Sequence, residues 1–310
     1  MNKQPLQPYD IVGDIHGELG ALERLLSKLG YREAGGSLAH PEGRKLLFLG
    51  DFIDRGPDSR GVLRLVRRLV DSGAALAIMG NHEFNFAAYH TVDRSGKPLR
   101  ENNDKHKGQI AATTRSFEGY EREIPEWVEW MRGLPLFLDL GAFRAVHAAW
   151  VPGDIEFLKR RTLSDYDFFI EASRKGTATW QAIERVLKGI EMKMPDGLSF
   201  LDANRIERHH MRVRWWGPIK GQSWHGMAFP AQKDLPEGPA EVEGLADILA
   251  YGEDEPPVFF GHYKLIGYAP ELRTPNVACL DFGLGHGAPA TAYRWNGERA
   301  LDAGNLVQVK

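Results

Sequence analysis

Three stretches decide how this 310-residue chain folds: Tyr9-Asp10-Ile11-Val12-Gly13-Asp14-Ile15-His16, Lys45-Leu46-Leu47-Phe48-Leu49-Gly50-Asp51 and Ala75-Leu76-Ala77-Ile78-Met79-Gly80-Asn81. Each opens as an apolar run of strand length and ends on a glycine followed by Asp, Asp or Asn. Two helix patterns separate them. Leu19, Leu22, Leu25, Leu26 and Leu29 share one face of the first, and Gly30 is its stop signal. The second starts at Asp58 or Ser59, either of which can cap it, buries Val62, Leu65, Val66 and Leu69, and ends by Gly73. This β-α-β-α-β order predicts a largely parallel sheet with helices on its faces. Ligands of such sheets gather beyond the carboxyl ends of the strands, where Asp14, Asp51 and Asn81 fall.

The pattern recurs in the second half. Apolar runs at 143–146, 258–261 and 277–280 lead into His147, His262 and Asp281. Any one of these residues has an ordinary explanation. A lone Asp after a strand caps the next helix, a lone His closes the edge of a core, and Asp54-Arg55 alone is a surface ion pair of little value. Six polar residues at six strand ends call for a common one. Asp14 and His16, two apart, can turn toward one point, and Asp51 can offer one oxygen to each of two metals. Asn81 adds a neutral carbonyl oxygen, and His147 and His262 add nitrogens. A mixed nitrogen and oxygen set without thiolate suits manganese, iron or zinc better than calcium. Two such ions about 3.5–4 Å apart can clamp a phosphate and supply hydroxide near neutral pH. Arg55 is placed to hold phosphate oxygens. His82 can protonate a leaving oxygen, and Asp54 can fix the tautomer of His82.

Composition sets the outer bounds. Hydrophobic residues make up 43% and charged residues 26%, enough for a real core. The formal net charge of −3 gives no electrostatic ground for bulk nucleic-acid binding. The single Cys279 allows no internal disulfide and reads as an inert buried thiol. Residues 1–10 lack a signal-peptide h-region, and no apolar run approaches the roughly 20 residues of a membrane span, so a cytoplasmic chain with no membrane partner is expected. The polar stretch 85–123 reads as a solvated loop or lid. The stretch at approximately 152–257, with Trp180, Trp215, Trp216 and Trp224, reads as a partly helical insertion that caps one side of the site within a single domain spanning 1–310.

The blocks Gly13-Asp14-Ile15-His16-Gly17, Gly50-Asp51-Phe52-Ile53-Asp54-Arg55-Gly56 and Gly80-Asn81-His82-Glu83 resemble the signature blocks of the phosphoprotein-phosphatase (PPP) family, a branch of the calcineurin-like metallophosphoesterases. The resemblance is strong over 9–84 and patchy around 143–148, 258–263 and 277–283. It implies an α/β fold, a four-layer α/β/β/α sandwich with a helical cap insertion. It also implies a dinuclear centre, direct attack by metal-bound hydroxide, Asp51 as the bridging ligand, and Asp54–His82 as general acid. The family's second phosphate-binding arginine would be Arg212 or Arg214. Two departures matter. Ala148-Ala149 stand where eukaryotic-type enzymes have two glycines, and 18–29 with 56–59 look more like bacterial members, some of which act on dinucleoside polyphosphates. The best-known bacterial diadenosine tetraphosphatases typically lack the aspartate corresponding to Asp54, which tilts the sequence reading toward a phosphatase.

The expectation is therefore a metallophosphoesterase using two divalent ions, with manganese first and iron or zinc as substitutes. It would hydrolyse phosphate monoesters as bacterial Ser/Thr-type phosphatases do. Its alternative is a dinucleoside polyphosphate hydrolase, and a non-catalytic binding module on the same fold comes last. The partner is accordingly a phosphoprotein or a nucleotide, and a nucleotide would call for an adenine-stacking pocket, with Trp215, Trp216 and Trp224 as candidates. Set against that, tryptophans in such a stretch more often pack than stack bases. His209, His210 and His225 read as surface or cap residues. Asp281 is either a partner of a metal histidine or a turn residue, and His90 and Tyr263 stay unassigned.

Overall fold

The computed structural model describes residues 6–310 except 36, 202–206, 218–220, 233–234, 241–250, 266, 268–271 and 273. The three opening runs are strands β1 (Tyr9–Val12), β2 (Lys45–Phe48) and β3 (Ala75–Ala77). The later runs are β4 (Phe137–Asp139), β5 (Arg144–Val146), β6 (Val258–Phe260), β7 (Val277–Cys279), β8 (Ala290–Trp295) and β9 (Leu306–Val309). They form two mixed sheets, not one parallel sheet. The first runs β9-β8-β1-β2-β3, with β1, β2 and β3 parallel and β8 and β9 antiparallel. The second runs β7-β6-β5-β4, parallel except for the β4–β5 hairpin.

Alternation along the strands explains how the sheets stack. Ile11, Leu47, Phe143, Ala145, Phe259, Ala278, Tyr293 and Trp295 form one buried cluster drawn from both sheets. The alternate residues Val12, Leu46 and Phe48 join a second cluster with Leu22, Leu25 and Leu26 of helix α1 (Leu19–Leu29) and Val62, Val66 and Leu69 of α2 (Ser59–Asp71). Asp58 caps α2 by accepting from Gly61 N–H, as expected. On the far side, Val146, Val258 and Phe260 meet Ile183, Val186 and Leu187 of a helix at Ala178–Lys188. Trp215 and Trp216 pack against Phe260 at ring separations of 5.1 and 5.0 Å. In its described residues the stretch 152–257 therefore supplies the layer over the second sheet. No helix among the described residues is long and apolar enough to cross a membrane.

The polar stretch 85–123 departs from the loop expectation. Helix α3 (Asn81–Tyr89) runs into it, and α4 (Asp104–Ser116) occupies its second half. Only Ile110, Ala112 and Thr113 of α4 are buried, so the apolar stripe that announces a helix is nearly absent. Its start is nonetheless capped, since Asn103 accepts from His106 N–H.

Register positions the site. Val12 lies beside Phe48 and Phe48 beside Ala77, so three loops leave the first sheet at one level.

Candidate active site

Backbone bonds lace the first two loops together. The Asp51 carbonyl accepts from Ile15 and His16 N–H at 3.0 and 2.8 Å, and the Phe52 carbonyl accepts from Gly17 N–H at 2.7 Å. Glu83, fully buried, ties in the third loop: its carboxylate accepts from the N–H groups of Asp51, Phe52, Ile53 and Gly80 at 2.8–3.3 Å. The sequence reading quoted Glu83 in its block without giving it a role. The second sheet is joined by His147, whose Nδ1–H donates to the Leu49 carbonyl at 2.7 Å. His262 N–H approaches the Asp14 carboxylate at 3.2 Å. A Cβ at Gly261 would stand 2.0 Å from Asp14 Oδ1, so only glycine lets these two loops close.

Among the described residues, six other than glycine have left-handed backbone: His16, Asp51, Asp54, Arg55, His262 and Lys264, with φ from 35° to 70°. All six lie in these loops. Such conformations cost on the order of 1–3 kcal/mol each and persist only where the surroundings over-determine them. The crossing bonds do that here.

The structure brings the six predicted ligands together. His16 Nε2 lies 3.9 Å from Asp14 and 3.7 Å from Asp51 Oδ2. His147 Nε2 lies 3.3 Å from Asp51 Oδ1 and 3.1 Å from Asn81 Oδ1, and His262 Nδ1 is 2.7 Å from the same Asn81 oxygen. Donor atoms of His16, Asp51 and His82 fall within 4.8 Å of one another, and so do those of Asp51, His147 and His262. Asp51 is common to both groups. His82, read from sequence as an acid and not a ligand, gives its Nδ1 to Asp54 Oδ2 at 2.6 Å, leaving Nε2 3.8 Å from Asp51. Asp54 is held in turn by Thr113 of α4, whose hydroxyl bonds Asp54 Oδ1 at 2.5 Å and accepts from Asp54 N–H at 2.9 Å.

Electrostatics fit a cation at this cluster. His16 donates its Nδ1–H to the Ile53 carbonyl at 3.0 Å, which turns the Nε2 lone pair inward, and that Nε2 is buried without a hydrogen-bond partner. Burial pushes the His16 and His262 rings well below their ordinary range, so they present neutral nitrogen. Burial, with Asp281 and Asp51 nearby, drives Asp14 well up. Burial alone would raise Asp51 too, but His147, His82 and His16 hold it well below the usual carboxylate range. Burial opposes charge on His147, yet Asp51 and Asp14 draw a proton onto it and raise it to about 10. The carboxylates thus demand positive charge, and a metal ion satisfies that demand with the donor set in place.

Other expectations resolve by position. Arg55 joins the site, donating from Nη1 to His286 Nε2 at 2.6 Å. Arg212 stands close by, 5.2 Å over the Tyr263 ring, and its charge reaches His262. No described contact joins Arg214 to the cluster; its backbone pairs with Met227. The Asp281 carboxylate accepts from the backbone N–H of Lys264 and Gly283 at 3.1 and 2.9 Å, which is a loop-holding arrangement with no bond to a histidine ring. Tyr263 is buried, donating to the Val213 carbonyl, and His90 stacks on Phe86. Trp215, Trp216 and Trp224 are only 1%, 4% and 7% exposed and offer no stacking platform. His225 bonds the Gln232 carbonyl and His209 the backbone of Met194, both apart from the cluster, and His210 lies in a peripheral two-stranded pairing with Lys193. Cys279 is half-buried, its thiol 3.8 Å from the Gly261 carbonyl.

Comparison with known proteins adds the following. Residues 8–285 match the calcineurin-like phosphoesterase family. Over 182 residues, 57% of this chain and 69% of the relative, the chain is 38% identical to the asymmetrical bis(5'-nucleosyl)-tetraphosphatase PrpE of Oceanobacillus iheyensis. It is 49% identical over 74 residues to the PrpE of Halalkalibacterium halodurans, where the match spans 24% of this chain and 30% of the relative. Among solved structures, a candidate diadenosine tetraphosphatase shares 18% identity at a TM-score of 0.50, covering 99% of this chain and 95% of that one. A serine/threonine phosphatase of Saccharomyces cerevisiae with similarity to human phosphatase PP5 shares 18% identity at a TM-score of 0.54, covering 99% and 80%. At that identity the structural matches speak to the fold.

Proposed function

The chain belongs to the calcineurin-like phosphoesterase family, whose members are metal-dependent phosphoester hydrolases, and we propose that it hydrolyses a dinucleoside polyphosphate of the diadenosine tetraphosphate class. Two divalent ions would be held by Asp14, His16, Asp51, Asn81, His147 and His262, with Asp51 shared between them. When bound they would polarise the phosphorus centre and lower the pKa of a water. Arg55 would grip the phosphate oxygens. His82 would donate its Nε2 proton to the leaving oxygen, with Asp54 fixing the ring from the other side at 2.6 Å. Burial disfavours the His82 cation, but Asp51 and Asp54 raise it above its ordinary value, which suits an acid that must arrive protonated. We also propose that 152–257 is an insertion within one metallophosphoesterase domain and that it delivers Arg212 to the edge of the site.

The observation that carries this reading is the 38% identity to an asymmetrical tetraphosphatase over 69% of its length. It reverses the order given by the sequence alone, where phosphate monoesters came first. The phosphoprotein reading keeps one specific support: the Asp54–His82 pair is present and geometrically complete, whereas the best-known bacterial diadenosine tetraphosphatases typically lack that aspartate. The test is a hydrolysis panel of p-nitrophenyl phosphate, a phosphothreonine peptide and diadenosine tetraphosphate, each with manganese and after chelation. Manganese-dependent turnover of the dinucleotide well above the peptide is expected. The reverse order would return the protein to the phosphoprotein phosphatases.

A further inference from the structure

Positive charge is distributed unevenly over this chain. Away from the site, Arg44, Arg60, Arg132, Arg144 and Arg185 each meet a carboxylate at 2.6–2.9 Å. At the site, neither Arg55 nor Lys264 has a carboxylate partner among the described residues, and Arg212 has only Glu191 at a loose 3.8 Å. The guanidinium Nε of Arg212 is buried without any hydrogen-bond partner. The carboxylate that acts most on Lys264 and His286 is Asp281, and both of its oxygens already accept from backbone N–H groups, of Lys264 and Gly283.

The chain goes to some length to gather these groups. Lys264 adopts φ 35°, a strained value for a non-glycine residue, and its N–H is pinned by the Asp281 carboxylate at 3.1 Å. That places its side chain within electrostatic reach of Arg55, Asp281, Arg212 and Asp51. From the opposite side, the single turn Leu284–His286 presses onto the site. A Cβ at Gly285 would lie 2.7 Å from Arg55 Cδ and 2.9 Å from His16 Cβ, so the turn could not approach with any other residue there. The approach brings the exposed His286 ring to 2.6 Å from Arg55. Because Arg55 can only donate, His286 Nε2 accepts.

We propose that Lys264 and His286, together with Arg55 and Arg212, form a binding site for a second phosphate, adjacent in the chain of a polyphosphate to the one under attack. The inference rests on the polyphosphate reading above. A monoester brings one phosphate, which Arg55, Arg212 and the metal ions would hold. A second phosphate bridged to the first would fall among the remaining cations. His286 would release Arg55 to the incoming anion, and Lys264 would meet the next phosphate as a point charge.

Calorimetric binding of AMP and of α,β-methylene ADP to the manganese-loaded protein tests this, because the analogue adds a second phosphate through a bridge that cannot be hydrolysed and neither measurement needs turnover. The wild-type protein should bind the diphosphate analogue about tenfold or more tightly than AMP, the effect of one charge-assisted hydrogen bond. Lys264→Gln should bring that ratio to about twofold, Lys264→Arg should restore most of it, and His286→Asn, at an exposed position, should narrow it by about two- to threefold. Equal affinities in the wild type, or a ratio that survives both Lys264→Gln and His286→Asn, would overturn the proposal. The two failures are separable. Preferred cleavage of diadenosine tetraphosphate with an unchanged ratio removes the subsite and keeps the function. A ratio that follows Lys264 in a protein that prefers the phosphopeptide keeps the subsite and removes the function.

Discussion

The metal face and the flank formed by α2 and the helix at Ile124–Arg132 both rely on charged side chains, used in opposite ways. On the flank, Arg60 meets Glu123 through two hydrogen bonds at 2.7 and 2.9 Å and lies 3.6 Å over the Tyr120 ring, while Arg67 meets Glu126 at 2.6 Å. Backbone there is relaxed and every one of these charges has its partner. On the metal face, buried carboxylates crowd histidines, Arg55 and Lys264 form no ion pair with a carboxylate among the described residues, and six described residues other than glycine hold left-handed backbone. Paired charge fastens one part of this fold to another. Charge left unpaired, on strained backbone, is held ready for something that is not protein.

The comparison predicts that substitutions on the metal face change chemistry more than stability, and the largest effect belongs to Asp51. Asp51→Asn removes the one carboxylate common to both candidate metal groups. Loss of a mere outer partner of a ligand lowers metal affinity about 10–100-fold, and loss of the shared ligand should exceed that, abolishing most bound manganese and activity together. Metal analysis beside turnover checks it. Retained metal with a near-normal rate would break the bridging assignment.

His82→Ala comes next. It should lower kcat by about 10²–10⁴-fold with metal content nearly intact. His82 is raised above its ordinary value by Asp51 and Asp54 against the pull of burial. An acid must be protonated to act, so wild-type kcat should hold at pH below that raised value and fall as pH climbs through it. The fall on the basic side should vanish in His82→Ala. A variant that loses metal in proportion to activity would make His82 a ligand instead, as its place in one of the two donor groups allows.

The residues that cluster at the site were legible in the sequence for a physical reason. Asp14, His147 and His262 stand one or two residues beyond a strand and His16, Asp51 and Asn81 three or four, all but His147 next to a glycine, and the period of the strand fixes where the loop begins. The two-sheet sandwich was legible only through the family resemblance. Local pattern saw three parallel strands correctly but had no means of assigning β5, β6 and β7 to a separate sheet, because pairing partners far apart in sequence leave no periodic trace. It also passed over β8, which pairs with β1 along four residues. Arg212 and Arg214 could not be told apart because residues two apart in an extended segment share a face. Tyr263, stacked under Arg212, is what distinguishes them. Lys264 and His286 left no signal because neither stands in a motif; tertiary packing alone carries them to Arg55.

Thr113 is the plainest case of such a residue, and its substitution gives the next smaller effect. It sits on a helix with almost no apolar face, yet it is fully buried and bonds both the carboxylate and the N–H of Asp54. Thr113→Val keeps shape and removes both bonds. The expected loss is about tenfold in kcat, the equivalent of one hydrogen bond, with KM for p-nitrophenyl phosphate little changed. The basic-side fall in kcat should also shift, because Asp54 sets the His82 proton. A purely structural role would lower thermal stability and leave the pH profile in place.

The smallest effect lies on the flank and tests the other half of the comparison. Arg60 holds the Glu123 carboxyl down to about 2, against an ordinary value of 4.5. A carboxylate lowered on folding contributes stability that is complete above about 4.5 and is lost as pH falls toward about 2. Glu123→Gln should therefore lower the thermal midpoint slightly at neutral pH, and the difference from wild type should close on acidification through that window. The pair is partly exposed, so screening keeps the effect small, and added salt should shrink it further. Metal content and turnover should not move. If Glu123→Gln instead reduced activity while leaving the midpoint alone, the flank would be part of the working site, and pairing of charge would no longer separate scaffold from chemistry in this protein.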